Sequence, residues 1–446
     1  MGRKSHVQRL NIWLNGTPVG YWEISHGRHT LTYFDEWLAD EQGRPLSLSL
    51  PFNPQNQPHR GPVVSNYFDN LLPDSEAIRK RIAQHFKTEG IEPHQLLAAI
   101  GRDCVGAIQL LPTGEVPEHL FSITGDLLSE REIAAILRNA TSERPLGQRD
   151  DEVDLRLSIA GAQEKSALLR FQDKWYRPTG STPTTHIFKL PLGLVGAMQA
   201  DMRTSVENEW LCSKIVQAFG LPIAHCEMAA FEELKCLIVE RFDRRYSEDA
   251  SWIVRLPQED FCQATGTSPL RKYQADGGPG ITKIMEILLS SDSPDTDRRH
   301  FFKTQIVFWL LAATDGHAKN FSIFHLPKSR FRATPLYDVL SAHPILGSGA
   351  NSVAPQRAKL AMAVRGSENY YLLQQIQRRH WRRHAQLVGL GAPAAGEIIQ
   401  EVIAGTKSAV DAVYRQLPSE FPTDLADAIL GGLINQSKRL GRMAAT

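Results

Sequence analysis

The chain has 446 residues, 42% hydrophobic and 22% charged, which is enough for about three structural units and lies outside the disordered, collagenous and coiled-coil classes. Lysine plus arginine number 50 and aspartate plus glutamate 49, a formal charge of +1 that excludes both a globally basic coat and an acidic solvating tail, so any polyanion must be met locally. The five cysteines are odd in number and show no C-x-x-C spacing, which points away from a disulfide framework or a zinc knuckle and towards a reducing cytoplasm. Met1 to His6 is slightly basic but leads into no apolar leader stretch, and the longest strongly apolar run, Ile306 to Ala313, falls far short of the roughly 20 residues a bilayer span needs.

In chain order, Leu10, Ile12 and Leu14 alternate with polar neighbours up to Asn15-Gly16, and Val19, Tyr21 and Trp22 follow, which predicts a type I′ hairpin. After Pro73, Ser75 is set to cap a helix running to Phe86 with Ile78 and Ile82 on one face. Val105 to Leu111 is an apolar stretch closed by Pro112, and the polar sequence from there to about Arg149, with a helical piece near Ser129 to Arg138, reads as a connector. Ala167 to Phe171 and Trp175 to Arg177 flank Gln172-Asp173-Lys174 as a second hairpin, and His186 to Leu190 is a short strand closed by Pro191. Thr204-x-x-Glu207 reads as a capping box ahead of a helix with Val206, Trp210, Leu211, Ile215 and Phe219 on its apolar face, ended by Gly220. Leu237 to Glu240 reads as a buried strand. From about Ser293 the chain is mostly helical, and its first helix, with Phe302, Ile306, Trp309, Leu310 and Ala313 on one face, is expected to stop at Asp315-Gly316.

Thr314 to Phe321 follows that helix, and a hairpin-like pair leads on to Asp338. In kinase-type phosphoryl transfer an aspartate accepts the acceptor hydroxyl proton, an asparagine five residues later binds a metal, and a second aspartate beyond a hairpin binds metal bridging the phosphates. Asp315, Asn320 and Asp338 have that order and that step, and magnesium suits their hard oxygens. In isolation Asp315-Gly316 is also an ordinary turn and Asn320 an ordinary cap. Upstream, Lys189 in a strand can reach phosphates or stand as a solvated edge residue, and Leu237 to Phe242 suits a hinge whose backbone reads adenine or simply a core strand leaving its sheet. Ser158 to Lys165 is a small-residue loop whose amides can approach an anion, although neither G-x-x-x-x-G-K-[ST] nor G-x-G-x-x-G occurs in it.

Several blocks together, among them Asn66-Tyr-Phe-Asp-Asn-Leu-Leu-Pro-Asp74, Ile100-Gly-Arg-Asp103, Ser158-Ile-Ala-Gly-Ala-Gln-Glu-Lys165, Thr184-Thr-His-Ile-Phe-Lys-Leu-Pro191, Val239-Glu-Arg-Phe-Asp-Arg-Arg245 and Ala313-Thr-Asp-Gly-His-Ala-Lys-Asn320, closely resemble the HipA family of bacterial serine/threonine kinase toxins. The resemblance runs through about Leu387. It implies an α+β, protein-kinase-like two-lobed fold: an N-terminal β/α partner-binding module over 1–112, a connector over 113–149, a kinase N-lobe over 150–292 and a mostly helical C-lobe over 293–446.

By the same resemblance Asp315 would be the catalytic base, and Asn320 and Asp338 would hold Mg2+. ATP would be held by the loop Ala160, Gly161, Ala162, Gln163, Glu164 and Lys165, by Lys189, by Glu240, Arg241 and Phe242 at the adenine, and by His317, Ala318, Lys319, Asn320, Tyr337 and Asp338, with Lys319 beside the transferred phosphoryl. Ser158 would be an autophosphorylation site, and a phosphate there would repel ATP from the loop. The expected partners are a helix-turn-helix antitoxin, operator DNA reached mainly through it, and glutamyl-tRNA synthetase as protein substrate. Arg379, Arg382 and Arg383, in the basic run Arg378 to Arg383, are either a solvated helix face or a direct DNA contact. A small-molecule kinase and a non-enzymatic repressor subunit are the alternative readings.

Overall fold

The computed structural model describes residues 8–141, 163, 165–196 and 199–444. The first hairpin forms as the sequence requires: strands Gln8–Leu14 and Thr17–Ser25 are joined by Asn15 and Gly16 with φ of 47° and 86°, the left-handed pair a type I′ turn needs. These strands belong to a five-stranded antiparallel sheet whose other edge partner is Ile108–Pro112. Helices Pro62–Asp69, Glu76–Phe86 and Pro93–Ile100 belong to the same unit, where Leu10, Ile12, Trp22, Phe68 and Leu97 are fully buried and Trp22 stacks on Phe68 at 4.0 Å between centroids. Ser75 caps Glu76–Phe86 by accepting from the Ile78 amide.

A second, six-stranded antiparallel sheet has the order Cys226–Phe231, Leu234–Glu240, His186–Lys189, Lys165–Phe171, Lys174–Pro178, Gly125–Leu127. The stretch expected to be a connector is therefore built into this sheet. Gly125–Leu127 pairs with Lys174–Pro178, and helix Glu130–Thr141 buries Ile133, Ala134, Ile136 and Leu137 in one core with Leu168, Phe188 and Ile238. The polar composition of 113–149 reflects the exposed face of that helix and conceals its apolar stripe. Helix Ser205–Ala218 packs against this sheet, but Thr204 makes no side-chain cap: its ψ of 24° departs from the extended backbone a capping residue takes, and the Glu207 carboxylate accepts from Lys235.

The remaining core gathers around helix Pro294–Leu311, with Phe302, Ile306, Trp309 and Leu310 fully buried against helices Ala392–Tyr414 and Thr423–Arg442. The helix ends before Asp315-Gly316: Ala312, at φ 49°, turns the chain left-handed and closes it at Leu311.

The N-terminal unit is fastened to the unit of the second sheet by a buried ionic cluster. Asp103 accepts from Arg241 at 3.2 Å and from Arg244 at 2.9 Å, while Asp243 accepts from Arg241 at 2.9 Å and from the Gly106 amide at 2.7 Å. Ser47 and Ser49 add hydroxyl bonds to the Gln263 carbonyl at 3.1 and 2.7 Å. No helix among the described residues is long and apolar enough to cross a membrane.

Candidate active site

Strand His186–Lys189 delivers Lys189 into the interior between two carboxylates. Its Nζ donates to Glu209 Oε1 at 2.6 Å and to Asp338 Oδ1 at 2.7 Å. Burial alone would lower the ammonium pKa, but Asp338 and Glu209 outweigh it and hold it above its ordinary value. Asp338 is likewise kept well below the usual carboxylate range, with burial opposed by Lys189 and then Lys165, so it stands ionised. Glu209 lies on helix Ser205–Ala218, and its neighbour Asn208 exchanges two 2.8 Å bonds with the backbone of Ser341. One helix thus fixes the lysine and, a few residues past Asp338, the segment that carries the second carboxylate. Asp338 has φ 61°, a left-handed conformation an aspartate tolerates better than most residues.

The loop after Ala312 presents Asp315 at a cleft of about 410 Å³ that Tyr273, Thr314, Leu346, Leu360 and Tyr371 help to line. Gly316 is required by a close approach, since a Cβ there would come within 2.6 Å of the Phe308 ring. Tyr273 donates its hydroxyl to Asp315 Oδ1 at 2.5 Å. Desolvation pushes the Asp315 pKa up, and this hydrogen bond partly restrains it. His317 is kept neutral, its pKa pushed down to about 3 by burial and then by Lys272. Asn320 accepts on Oδ1 from the His317 amide at 3.2 Å and turns Nδ2 towards Asp338 Oδ2 at 3.4 Å. The structure thus brings Lys189, Asn320 and Asp338 into one contact network, with Asp315 at the head of the same loop as Asn320.

Other expected residues fall as follows. Tyr337 donates its hydroxyl to the Lys319 carbonyl at 2.8 Å and sets its ring 5.7 Å from Phe242, which also meets Phe324 edge-on. The Glu240 amide is bound to the His225 carbonyl and the Arg241 amide to the Thr185 carbonyl, both at 2.9 Å. Gln163 donates to the Leu190 carbonyl at 2.6 Å, and Lys165 opens its strand directly opposite Lys189. The buried Ala318 amide reaches the Lys272 carbonyl.

Two of these side chains find carboxylate partners within the protein. Asp103 and Asp243 bind the Arg241 guanidinium inside the inter-unit cluster. Lys319 donates its ammonium to Asp74 Oδ1 at 2.9 Å and to the Asn70 carbonyl at 3.3 Å. Ser158, Ala160, Gly161, Ala162 and Glu164 lie outside the described residues. Arg379, Arg382 and Arg383 sit on helix Arg378–Leu387, outside this network, with Arg379 and Arg383 exposed and Trp381 buried beneath them.

Glu209, Tyr273 and Asp74 escape the sequence reading. A second glutamate on a largely buried helix twenty residues after Lys189 is the one available signal for Glu209. Asp74 closes one of the blocks that carry the family resemblance, but nothing local points it, or Tyr273, at the Asp315 to Asn320 loop; only the fold brings them there.

A lysine paired to a helix glutamate and to an aspartate beyond a hairpin, beside an Asp-x-x-x-x-Asn loop, defines the class as a protein-kinase-like phosphotransferase. Comparison with known proteins specifies it. The HipA-like C-terminal domain matches residues 157–410 and the HipA N-terminal domain residues 10–111. The chain is 32% identical over 438 residues to the putative kinase Y4mE of Sinorhizobium fredii, covering 95% of this chain and 97% of that one. It is 26% identical to the serine/threonine-protein kinase toxin HipA of Shewanella oneidensis, over 74% of this chain and 75% of the relative. Its fold matches the structure of the Shewanella oneidensis MR-1 HipA, HipB and operator DNA complex with a TM-score of 0.77 at 22% identity, covering 96% of this chain and 97% of that one. The chain belongs to the HipA family and is a serine/threonine protein kinase.

Proposed function

We propose that this kinase is the toxin of a toxin-antitoxin pair and moves the γ-phosphoryl of ATP to a serine of a translation factor, glutamyl-tRNA synthetase being the first to test. The observation that carries the catalytic reading is the Lys189 ammonium held by Glu209 and Asp338 at 2.6 and 2.7 Å, with Asn320 bound to the same aspartate. In this reading Lys189 leaves Asp338 for ATP phosphate oxygens while Glu209 keeps it oriented. Asp315 takes the acceptor hydroxyl proton, and its raised pKa makes it a better base than an ordinary aspartate. The backbone of Glu240 and Phe242 is the proposed adenine contact.

The donor set fits magnesium, since the ion takes one or two carboxylates beside phosphate and water, and Asp338 is ionised while the Asn320 amide oxygen keeps a lone pair. Bound there, the ion would neutralise phosphate charge in the transition state. The relative whose complex with HipB and operator DNA is known supports a helix-turn-helix antitoxin as partner, with DNA reached through it and the chain acting as co-repressor. Autophosphorylation at Ser158 is part of the proposal and would place negative charge beside the ATP phosphates.

The test is incubation of the purified chain with γ-labelled ATP and magnesium, with and without a chelator, alone and with glutamyl-tRNA synthetase. Magnesium-dependent phosphoserine on the synthetase and at Ser158 supports the reading. Label on the chain but not on the synthetase keeps the kinase and removes the substrate.

A further inference from the structure

Asp74 belongs to the N-terminal unit, yet its carboxylate lies between two lysines of the kinase part. Oδ1 accepts from Lys319 at 2.9 Å and Oδ2 from Lys272 at 2.8 Å. Each lysine is adjacent in sequence to a residue that holds one of the two candidate catalytic carboxylates. Next to Lys272 is Tyr273, which donates to Asp315 at 2.5 Å; next to Lys319 is Asn320, 3.4 Å from Asp338. The backbone repeats the pattern, because the Lys319 carbonyl accepts from Tyr337, the neighbour of Asp338, and the Lys272 carbonyl accepts from Ala318 in the catalytic loop.

We infer that Asp74 is a positioning residue for phosphoryl transfer: one carboxylate from the N-terminal unit locks the 272–273 and 319–320 segments together and so fixes Asp315 relative to Asp338. The inference rests on the reading of Asp315 as base and Asp338 as phosphate-side carboxylate. A reaction that depends on two groups supplied by separate segments loses rate steeply when their spacing drifts, by about a hundredfold for a displacement of about 1 Å.

Asp74 has the electrostatics for this task. Burial would raise its pKa, but Lys319 and then Lys272 bring it to about 2, so it stays ionised throughout the physiological range. It is also not needed merely to dock the N-terminal unit. Asp103 and its arginines, the two serines on the Gln263 carbonyl, Asn66 on the Gly266 carbonyl at 2.8 Å and Asn70 on the Thr267 carbonyl at 2.9 Å hold that contact independently.

The test compares full-length Asp74→Asn, Asp74→Glu and Asp315→Asn for kcat, KM for ATP and melting temperature. Asp74→Asn should lose about 10- to 100-fold in kcat, with KM for ATP within about twofold, because Lys189 is untouched. Its melting temperature should stay within a few degrees, and Asp74→Glu should recover part of the rate. Undiminished kcat in Asp74→Asn beside an inactive Asp315→Asn overturns the inference and leaves the catalytic reading standing. Undiminished kcat in Asp315→Asn overturns that reading, and the inference with it. A rate loss that follows a fall in folded protein and that Asp74→Glu does not relieve also overturns it.

Discussion

Two lysine-carboxylate bridges lie on either side of the catalytic loop, and they differ in what can reach them. In the first, Lys189 sits between Glu209 and Asp338, and Asp338 is only half-buried, so one side of the bridge opens towards the space a nucleotide would take. In the second, Lys272 and Lys319 share Asp74, and Lys319 is closed off from solvent by the N-terminal unit. Burying an ion pair yields little net stability, but removing one partner leaves a charge stranded at a cost of about 3–5 kcal/mol. The open bridge is therefore suited to exchange partners during turnover. The closed one is suited to stay fixed while it does so.

Of the two bridges, breaking the open one should have the larger effect. Lys189→Met removes the phosphate contact and should lower kcat/KM by about 10²- to 10³-fold, measurable in steady-state phosphorylation of any accepted protein substrate. Glu209→Gln keeps the lysine but loosens its orientation. It should lower kcat/KM by about tenfold, and a second Lys189→Met change should then add less than it does alone, since the two act as a unit.

A smaller effect sharpens the role of the base. Asp315 acts ionised and its pKa is raised, so the rate should fall as pH drops through a value above that of an ordinary aspartate. Tyr273→Phe removes the hydrogen bond that favours the ionised form, so the acid limb of the pH-rate profile should move further up. An unmoved limb would detach Tyr273 from Asp315.

The smallest effect is on stability. The Asp74 pKa is depressed from 3.8 to about 2, so the closed bridge stabilises the fold fully above pH 4 and loses that contribution as pH falls towards 2. Acid unfolding of Asp74→Asn should lack this component, worth about 2 kcal/mol, relative to the parent between those pH values.

The legible parts of the molecule are those encoded by local rules. Asn15-Gly16 specified its turn because few residue pairs accept two left-handed conformations, and Asp315, Asn320 and Asp338 were visible because phosphoryl transfer demands oxygens at a set order and spacing. What stayed hidden depends on competition between partners. The Thr204-x-x-Glu207 box does not form, because Thr204 leaves the extended backbone that a cap takes while the Glu207 carboxylate meets Lys235 across the fold. The Asp74 partner of Lys319 stayed hidden because it lies 245 residues earlier in the chain. The helix near Ser129 to Arg138 was legible but its packing into the second sheet's core was not, and the Arg241–Asp103 pair joins residues that no local window contains.

The central claim is that Asp315 acts in the transition state while Lys189 and Asp338 serve the bound nucleotide. It is tested most directly by measuring ATP affinity and single-turnover phosphoryl transfer side by side in the parent and in Asp315→Asn. The account predicts an ATP Kd within about threefold of the parent and a transfer rate lower by about 10²- to 10⁴-fold. Transfer at the parental rate, or a loss wholly explained by weakened ATP binding, would contradict it.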